Sequence, residues 1–370
     1  MTESTHPLLA PATPLLRLGS DRVQVGGVDG GAGVRLGPVD ETRREALVAV
    51  LRALDGARSE RSLRALALAS GVSPDLLADL LAALRASGQL VDLSAADLLA
   101  TDQGPAGRAR AGTELPAAAA AGPGRWRARR AAAVVVDGAT RVGVPLAALL
   151  AASGIGRVHV VDRGPVSAAD AVVGGLSALD EGRPRALAAA DAVRRVAPQT
   201  DLRPLPAGRA PDLVVLCRPW SAVDPLQGGL HRDGTPHLVA TVRGEVGVVG
   251  PLVVPGRTGC LRCAEATRRD ADPDWAELVA GLREPTAGTP GSAPASGSAL
   301  TCLSTAAAAA AQALAHLDGD AAPAAVDATL ELRPPGLLPV RRPWPPHPDC
   351  ACRPAVRGPG VPAGSGRAGV

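Results

Sequence analysis

The chain has 370 residues, 46% hydrophobic and 20% charged, a composition typical of globular proteins and long enough for two domain cores. Its formal net charge of +3 argues against general binding to nucleic acid or to a membrane surface. The first residues lack the basic and apolar regions of a signal peptide, and no uninterrupted apolar run approaches about 18 residues, so we expect a cytoplasmic protein. Lys, Asn, Tyr and Phe are absent, which a G+C-rich genome explains without any functional demand.

Residues 1–95 have the pattern of one small domain. The predicted elements are two short strands at 15–18 and 22–28, a hairpin turn at 29–31, helices over 41–56, SLRALALAS and SPDLLADLLAALRASG, and a closing strand or wing, QLVDL. Ser73 is the expected N-cap of the third helix, and Pro74 its first residue. This order of elements predicts a small winged helix-turn-helix domain.

Winged helix-turn-helix domains usually bind DNA, which requires basic side chains on the helix that enters the major groove. The corresponding helix here carries Asp75 and Asp79 and only one basic residue, Arg85. We therefore interpret the domain as a protein-packing module or a peptide clamp, in which a bound peptide adds a strand to the sheet edge. A transcription regulator is the alternative, and salt-dependent DNA binding would reveal it.

Three segments have the composition of linkers or tails. Residues 96–130 predict a flexible linker whose last arginines solvate the entry to the next strand. The Gly/Pro/Ser-rich run at 281–299 predicts a mobile loop, and residues 354–370 predict a disordered tail.

Residues 131–353 alternate strands and helices. The predicted elements are strands AAVVVD, RVHVVD (157–162) and DLVVLC (212–217), helices from near Val142 and over 183–196, a strand–turn–strand at 237–256, an alanine-rich helix at 300–317, and strands near 325–333 and 337–341. Strands that alternate with helices pair in parallel through right-handed crossovers, so we expect an α/β domain with a Rossmann-like, mostly parallel sheet.

Four of the six cysteines form two close pairs. Cys260 and Cys263 lie in GCLRC, and Cys350 and Cys352 lie in HPDCAC. Two chelating pairs from distant segments predict a structural, tetrahedral zinc site, with His347 as a substitute ligand if one thiolate does not reach. Free thiols or a disulfide are the alternatives.

The other two cysteines are predicted to be core residues. Cys217 ends a buried strand. Cys302 begins the alanine-rich helix, where the helix N-terminus would lower its thiol pKa and make it a candidate nucleophile, but no base is identifiable nearby.

The order of these features resembles the ThiF/E1-like superfamily over residues 130–353. The resemblance is carried by VVVDGATRVG, ASGIGRVHVVD, GVVGPLVVPG, CLRC and PDCAC. It implies adenylation of the C-terminal carboxylate of a ubiquitin-like, sulfur-carrier or ribosomal peptide substrate, and a homodimer. Residues 1–95 resemble the peptide-binding domain that some ribosomal-peptide modification enzymes fuse to such a domain.

The resemblance also implies a nucleotide site. Gly138 and Gly143 match the outer glycines of the phosphate loop, while Thr140 and Arg141 replace the inner pair. Asp162 matches the acidic residue that binds the ribose. Arg185 or Arg183 takes the place of the family's lysine, and Arg141 could itself bind phosphate.

Several residues that the family uses for ATP chemistry have no match. The stretch RGPVSAADAVVGG lacks the charge-compensating Asn and Arg, and LCRPW offers Arg218 where a metal-binding Asp is expected. Asp224 could serve only with a different loop. Codon bias does not explain a lost Asp, because the chain uses Asp freely.

Three functions follow as hypotheses. The first is a scaffold without ATP turnover that binds a leader peptide or a small ubiquitin-like protein for a separate modifying enzyme. The second is an active ATP- and Mg²⁺-dependent adenylyltransferase that uses Asp162, Arg141 and Arg185. The third is an NAD(P) oxidoreductase, which GATRVG fits poorly.

Overall fold

The computed structural model describes residues 5–10, 13–28, 33–101, 104–120, 122, 124–218, 225–281, 297–319 and 322–352. The chain divides into two compact units, one up to Ala131 and one from Ala132. The predicted turn at 29–31, most of the loop at 281–299 and the tail at 354–370 lie outside the described residues.

In its described residues, the first unit combines two small antiparallel sheets with six helices. Its strands are β1 (Thr5–Leu9), β2 (Leu15–Leu18), β3 (Arg22–Gly26), β4 (Gly33–Leu36) and β5 (Leu90–Ser94). Its helices are α1 (Glu41–Arg52), α2 (Glu60–Ala69), α3 (Pro74–Ala86), α4 (Ala95–Leu99), α5 (Pro105–Ala120) and α6 (Arg125–Ala131). One sheet has the order β2-β3-β4, and β1 pairs with β5.

Local sequence signals determine where the first three helices begin. Asp40, Ser59 and Ser73 each cap a helix by accepting a hydrogen bond from the backbone N–H three residues further on. The apolar faces of α1, α2 and α3 then meet the inner face of β3 in one core. Recognition of a peptide by this unit stays a prediction.

The segment predicted to be a flexible linker carries α5 and α6. Ala111, Leu115 and Ala118 of α5 are buried in a second small core with Trp126 of α6 and Leu93 of β5. The composition that we read as that of a linker is also rich in alanine, a strong helix former, and here tertiary packing favours the helix.

The second unit is built on a seven-stranded sheet. Its strands are β6 (Ala133–Asp137), β7 (Arg157–Val161), β8 (Leu213–Leu216), β9 (His237–Arg243), β10 (Val246–Val253), β11 (Ala328–Leu332) and β12 (Pro339–Pro343). Its helices are α7 (Gly143–Ala152), α8 (Arg185–Val196), α9 (Pro225–Arg232), α10 (Leu261–Ala271), α11 (Trp275–Gly281) and α12 (Ala299–Leu317).

The sheet has the order β12-β11-β10-β9-β8-β6-β7. Strands β7, β6, β8 and β9 pair in parallel, and the remaining pairings are antiparallel. The predicted α/β class with a Rossmann-like sheet is confirmed, and its parallel part comprises β7, β6, β8 and β9. Helices α7, α8 and α12 cover one face and form the main core with it.

Helix α12 is the one described helix that is long and apolar enough to cross a membrane by length and composition. Its small buried residues, among them Thr305 and Ala309, pack against α7, β9 and β10. Such packing is typical of a core helix in an α/β domain.

Candidate functional site

Charged side chains follow three neighbouring parallel strands at the edge where those strands end. Asp137 ends β6, Asp162 directly follows β7, and Arg218 lies two residues beyond β8. In an open α/β sheet the carboxyl ends of the strands form the ligand-binding crevice. The glycine loop 138–143 lies at the same edge, between β6 and α7.

Both outer glycines of the loop are required by the backbone. Gly138 has φ +115°, and a Cβ there would stand 3.0 Å from the backbone nitrogen of Arg218. A Cβ on Gly143 would stand 2.1 Å from the Gly138 carbonyl oxygen. The loop therefore keeps the tight turn of a nucleotide-binding fold.

Thr140 changes what this turn offers to an anion. Its Oγ1 accepts a hydrogen bond from the Gly143 N–H at 3.0 Å and donates to the Cys217 carbonyl at 3.2 Å. Amide N–H groups at a helix N-terminus are the donors that usually bind phosphate. Here the hydroxyl of Thr140 takes one of them.

Asp162 is already bound within the protein. Its Oδ2 accepts the Ala139 N–H and its Oδ1 the Arg163 N–H, both at 2.7 Å. Arg218 Nη1 adds a third bond to Oδ1 at 3.1 Å. The residue expected to bind ribose therefore fixes the glycine loop to the end of β7.

Arg218 connects two strand ends. Its Nε lies 2.8 Å from Asp137 Oδ1 and 2.9 Å from Oδ2, in addition to the bond to Asp162. Both carboxylate side chains are only 9% exposed. The position where a metal-binding Asp was expected thus carries a cation that pairs with both acids of the cleft. Asp224 lies outside the described residues.

Arg141 and Arg185 both hold backbone carbonyls. Arg141 Nη1 donates to the Gly297 carbonyl at 2.6 Å. Arg185 is 8% exposed and donates to the carbonyls of Pro165 and Ala139 at 2.9 and 3.2 Å. Its Nη2 also forms an ion pair with Asp170 Oδ2 at 2.5 Å, so each nitrogen of the guanidinium is bound by a group of the protein. Arg183 instead pairs with two acids of its own segment, Asp180 and Asp191.

The four paired cysteines converge on one point. The Sγ–Sγ distance is 3.8 Å from Cys260 to Cys263, 3.6 Å from Cys260 to Cys350 and 3.3 Å from Cys263 to Cys352, and all four atoms lie within 4.8 Å of one another. Four thiolates around a tetrahedral zinc ion, with Zn–S bonds of about 2.3 Å, would be about 3.8 Å apart. The cluster therefore fits a metal ion.

The chemistry of the thiols also favours a cation. Burial raises the pKa of Cys260 to about 11, although a backbone hydrogen bond from Cys263 opposes the shift. A bound metal ion would stabilise the thiolate that burial disfavours. His347 is not part of the cluster, because its Nε2 bonds to Asp270 at 2.7 Å.

The other two cysteines lie in the main core. Burial raises the pKa of Cys217 far above its usual range. Burial also raises the pKa of Cys302, although Arg141 opposes the shift. Thiols with raised pKa values are poor nucleophiles at neutral pH.

Sequence reasoning missed the partners of the cleft residues. It considered Arg218 only as a missing acid, and it did not consider Asp170 at all. Acids at the ends of two adjacent parallel strands and a base after the third were a usable signal, since such ends meet at one sheet edge.

Comparison with known proteins places this geometry in a family. The ThiF family model matches residues 115–353. Escherichia coli MccB with succinimide superimposes with a TM-score of 0.60 at 16% identity, covering 94% of this chain and 98% of that one. The microcin C7 biosynthetic enzyme MccB in complex with N-formylated MccA gives the same TM-score and identity over 94% and 99% of the two chains.

A second protein shares the fold over less of the chain. PaaA superimposes with a TM-score of 0.55 at 15% identity, covering 72% of this chain and 92% of that one. No curated protein matches the sequence. Since the family model spans well over half of the 370 residues, the chain belongs to the ThiF family.

Proposed function

We propose that this chain is a ThiF-family protein that binds a peptide and no longer adenylates it. It acts as a scaffold, as a homodimer in the cytoplasm, and presents the peptide to a separate modifying enzyme of ribosomal-peptide biosynthesis. The observation that carries this proposal is Arg218, which binds Asp137 and Asp162 in the cleft.

Electrostatics of the cleft support the loss of ATP chemistry. Adenylation requires preplaced cations and dipoles around the phosphates. Here Arg218 is balanced by two carboxylates, Arg185 by Asp170, and Arg141 is turned to the Gly297 carbonyl. The described cleft therefore has little positive potential left for a triphosphate.

The first unit supports peptide binding. Strand β2 is at the edge of its sheet, and a groove of 270 Å³ lies between it and α1. The Gly26 N–H bonds to the Pro14 carbonyl, so the register turns the backbone groups of Leu15 and Arg17 outward. An extended peptide could add a strand there. MccB, which has the same fold, forms a complex with N-formylated MccA, and this agrees with a binding role for the fold.

The cysteine cluster has a structural role in this proposal. A zinc ion held by Cys260, Cys263, Cys350 and Cys352 would leave no open coordination position. It would join the segment after β12 to the start of α10.

Nucleotide binding is tested on the full chain with Mg²⁺-ATP. We expect no heat of binding in calorimetry and no pyrophosphate exchange with any short peptide that the neighbouring genes prove to encode. Exchange that Asp162→Ala abolishes and the matched control Arg163→Ala retains would overturn the scaffold function. It would establish the second candidate, an adenylyltransferase.

Peptide binding is tested by fluorescence anisotropy with the same peptides. We expect Leu16→Asp, in the groove, to weaken binding at least tenfold. Leu68→Asp is the matched control, because Leu68 is an exposed leucine of α2 outside the groove. If both variants bind the peptide with the affinity of the native chain, the groove between β2 and α1 is excluded as the peptide-binding surface.

A further inference from the structure

The four cysteines come from two segments that lie far apart in the chain. Cys260 and Cys263 start α10, whereas Cys350 and Cys352 follow β12, about 90 residues later. Closing so long a loop during metal binding would cost conformational entropy. The contacts that hold the segments together without the thiols therefore bear on metal affinity.

Trp344 is the first of these contacts. It is 5% exposed, and two guanidinium groups contact its ring, Arg268 of α10 at 4.5 Å and Arg342 of β12 at 4.7 Å from the ring centroid. The indole N–H donates to Thr329 Oγ1 at 3.0 Å. Stacked cations and a satisfied N–H make a buried tryptophan a specific anchor. Trp344 thus joins the segment after β12 to α10.

Asp327 makes the second contact. Its Oδ1 accepts a hydrogen bond from the backbone N–H of Gly259, and its backbone carbonyl accepts one from the backbone N–H of Trp344, both at 2.7 Å. A Cβ on Gly259 would stand 3.3 Å from the Pro346 nitrogen and 3.4 Å from the Trp344 carbonyl oxygen. The residue before Cys260 is therefore packed directly against the chain that leads to Cys350.

His347 makes the third contact. Its Nδ1 accepts the Asp349 N–H at 3.2 Å, so the proton is on Nε2 and is donated to Asp270 of α10 at 2.7 Å. The His347 carbonyl accepts the Cys350 N–H at 3.1 Å. One imidazole thereby fixes both the turn before Cys350 and its distance from α10.

We propose that Trp344, Asp327 and His347 are positioning residues that assemble the four-thiol site before a metal ion binds. The metal then meets ligands that are already close together, and its binding orders little additional chain. This inference concerns the cysteine cluster alone and holds whether or not the protein binds ATP or a peptide.

The test is metal affinity of the full chain, measured by Co²⁺ titration of the thiolate charge-transfer band and by Zn²⁺ competition with a chromophoric chelator. We expect Trp344→Leu to lower the affinity for both metals by about tenfold, because loss of supporting groups around a metal site commonly has an effect of that size. Trp344→Phe keeps the stacked ring and should bind within about threefold of the native chain.

Trp275→Leu is the matched control. Trp275 contacts the same guanidinium, Arg268, at 5.6 Å, but it belongs to α11 and not to the segment of Cys350. We expect native affinity for this variant. Native affinity of Trp344→Leu, or an equal loss in Trp275→Leu, would overturn the proposal.

Circular dichroism and hydrogen exchange of the metal-free protein accompany the titrations, the first to verify folding and the second to measure amide protection. The metal-free native chain should protect the backbone amides of Trp344, Asp349 and Cys350, which donate hydrogen bonds in this segment. Trp344→Leu should lose that protection while the core strands keep theirs. If Trp344→Leu does not fold, His347→Ala replaces it, with the same expected loss of about tenfold. Unchanged affinity in His347→Ala would then reject the positioning role.

Discussion

Asp170 and Arg185 form an enclosed ion pair beside the glycine loop, and both side chains are 10% exposed. Asp170 also accepts bonds from the N–H and the hydroxyl of Ser167, both at 2.8 Å. Arg185 reaches the Ala139 carbonyl inside the loop. Arg185, which was predicted to take the place of the family's lysine, therefore helps to fix the backbone of the loop.

Removing the acid of this pair should be costly. We expect Asp170→Asn to lower the free energy of unfolding by about 3 kcal/mol, because it leaves a buried guanidinium without its counter-charge. Urea unfolding measures the change. Asp191→Asn is the control, since its partners Arg183 and Arg194 are exposed and screened. Equal losses in the two variants would contradict the enclosed role of Asp170.

His237 gives the second prediction at the scale of single residues. Its side chain is 1% exposed, and burial lowers its pKa below the usual value, although the bond to the Thr235 carbonyl opposes this. The folded state therefore holds a neutral imidazole, while the unfolded chain takes up a proton below about pH 6.5. Stability should fall as the pH drops through that value.

Denaturant unfolding at pH 7.5 and 5.5 measures this dependence. His237→Gln cannot take up the proton, so the loss of stability between the two pH values should be smaller in the variant. His316 is half-buried and its pKa is also lowered by burial, but it stays in both chains and contributes equally. An identical loss in both would exclude His237 as its source.

Helices α5 and α6 are the elements whose presence the composition did not predict. Leu115 is 6% exposed in their small core, whereas Leu99, at the end of α4, is 78% exposed. We expect Leu115→Ala to lower the free energy of unfolding of the first unit by about 2–4 kcal/mol. Leu99→Ala should change it by less than about 0.5 kcal/mol. No effect of Leu115→Ala would mean that the segment behaves as a linker in solution.

The elements that sequence predicted best are those with strong local signals. Ser73 and Pro74 mark the start of α3, and the CxxC spacing of Cys260 and Cys263 marks half of the cysteine cluster. The pairing of β1 with β5 joins segments about 85 residues apart, so no local pattern reveals it. The same holds for Arg218, whose partners are known only once the strand order is known.

The whole molecule has a separate core in each unit. The buried leucines of α1, α2 and α3 belong to the first unit, and the residues that pack on the seven-stranded sheet belong to the second. All four clustered cysteines also belong to the second unit. Independent cores favour independent unfolding of the two units.

Calorimetry of the metal-loaded chain should therefore show two transitions. A chelator should lower the midpoint of only one, because metal bound to the folded cluster stabilises only the unit that contains it. Leu63→Ala creates a cavity in the core of the first unit, where Leu63 is fully buried. This variant should lower only the midpoint of the other transition. Cys263→Ser should reproduce the chelator effect and be insensitive to further chelator. A single transition that both perturbations lower would show that the two units unfold as one.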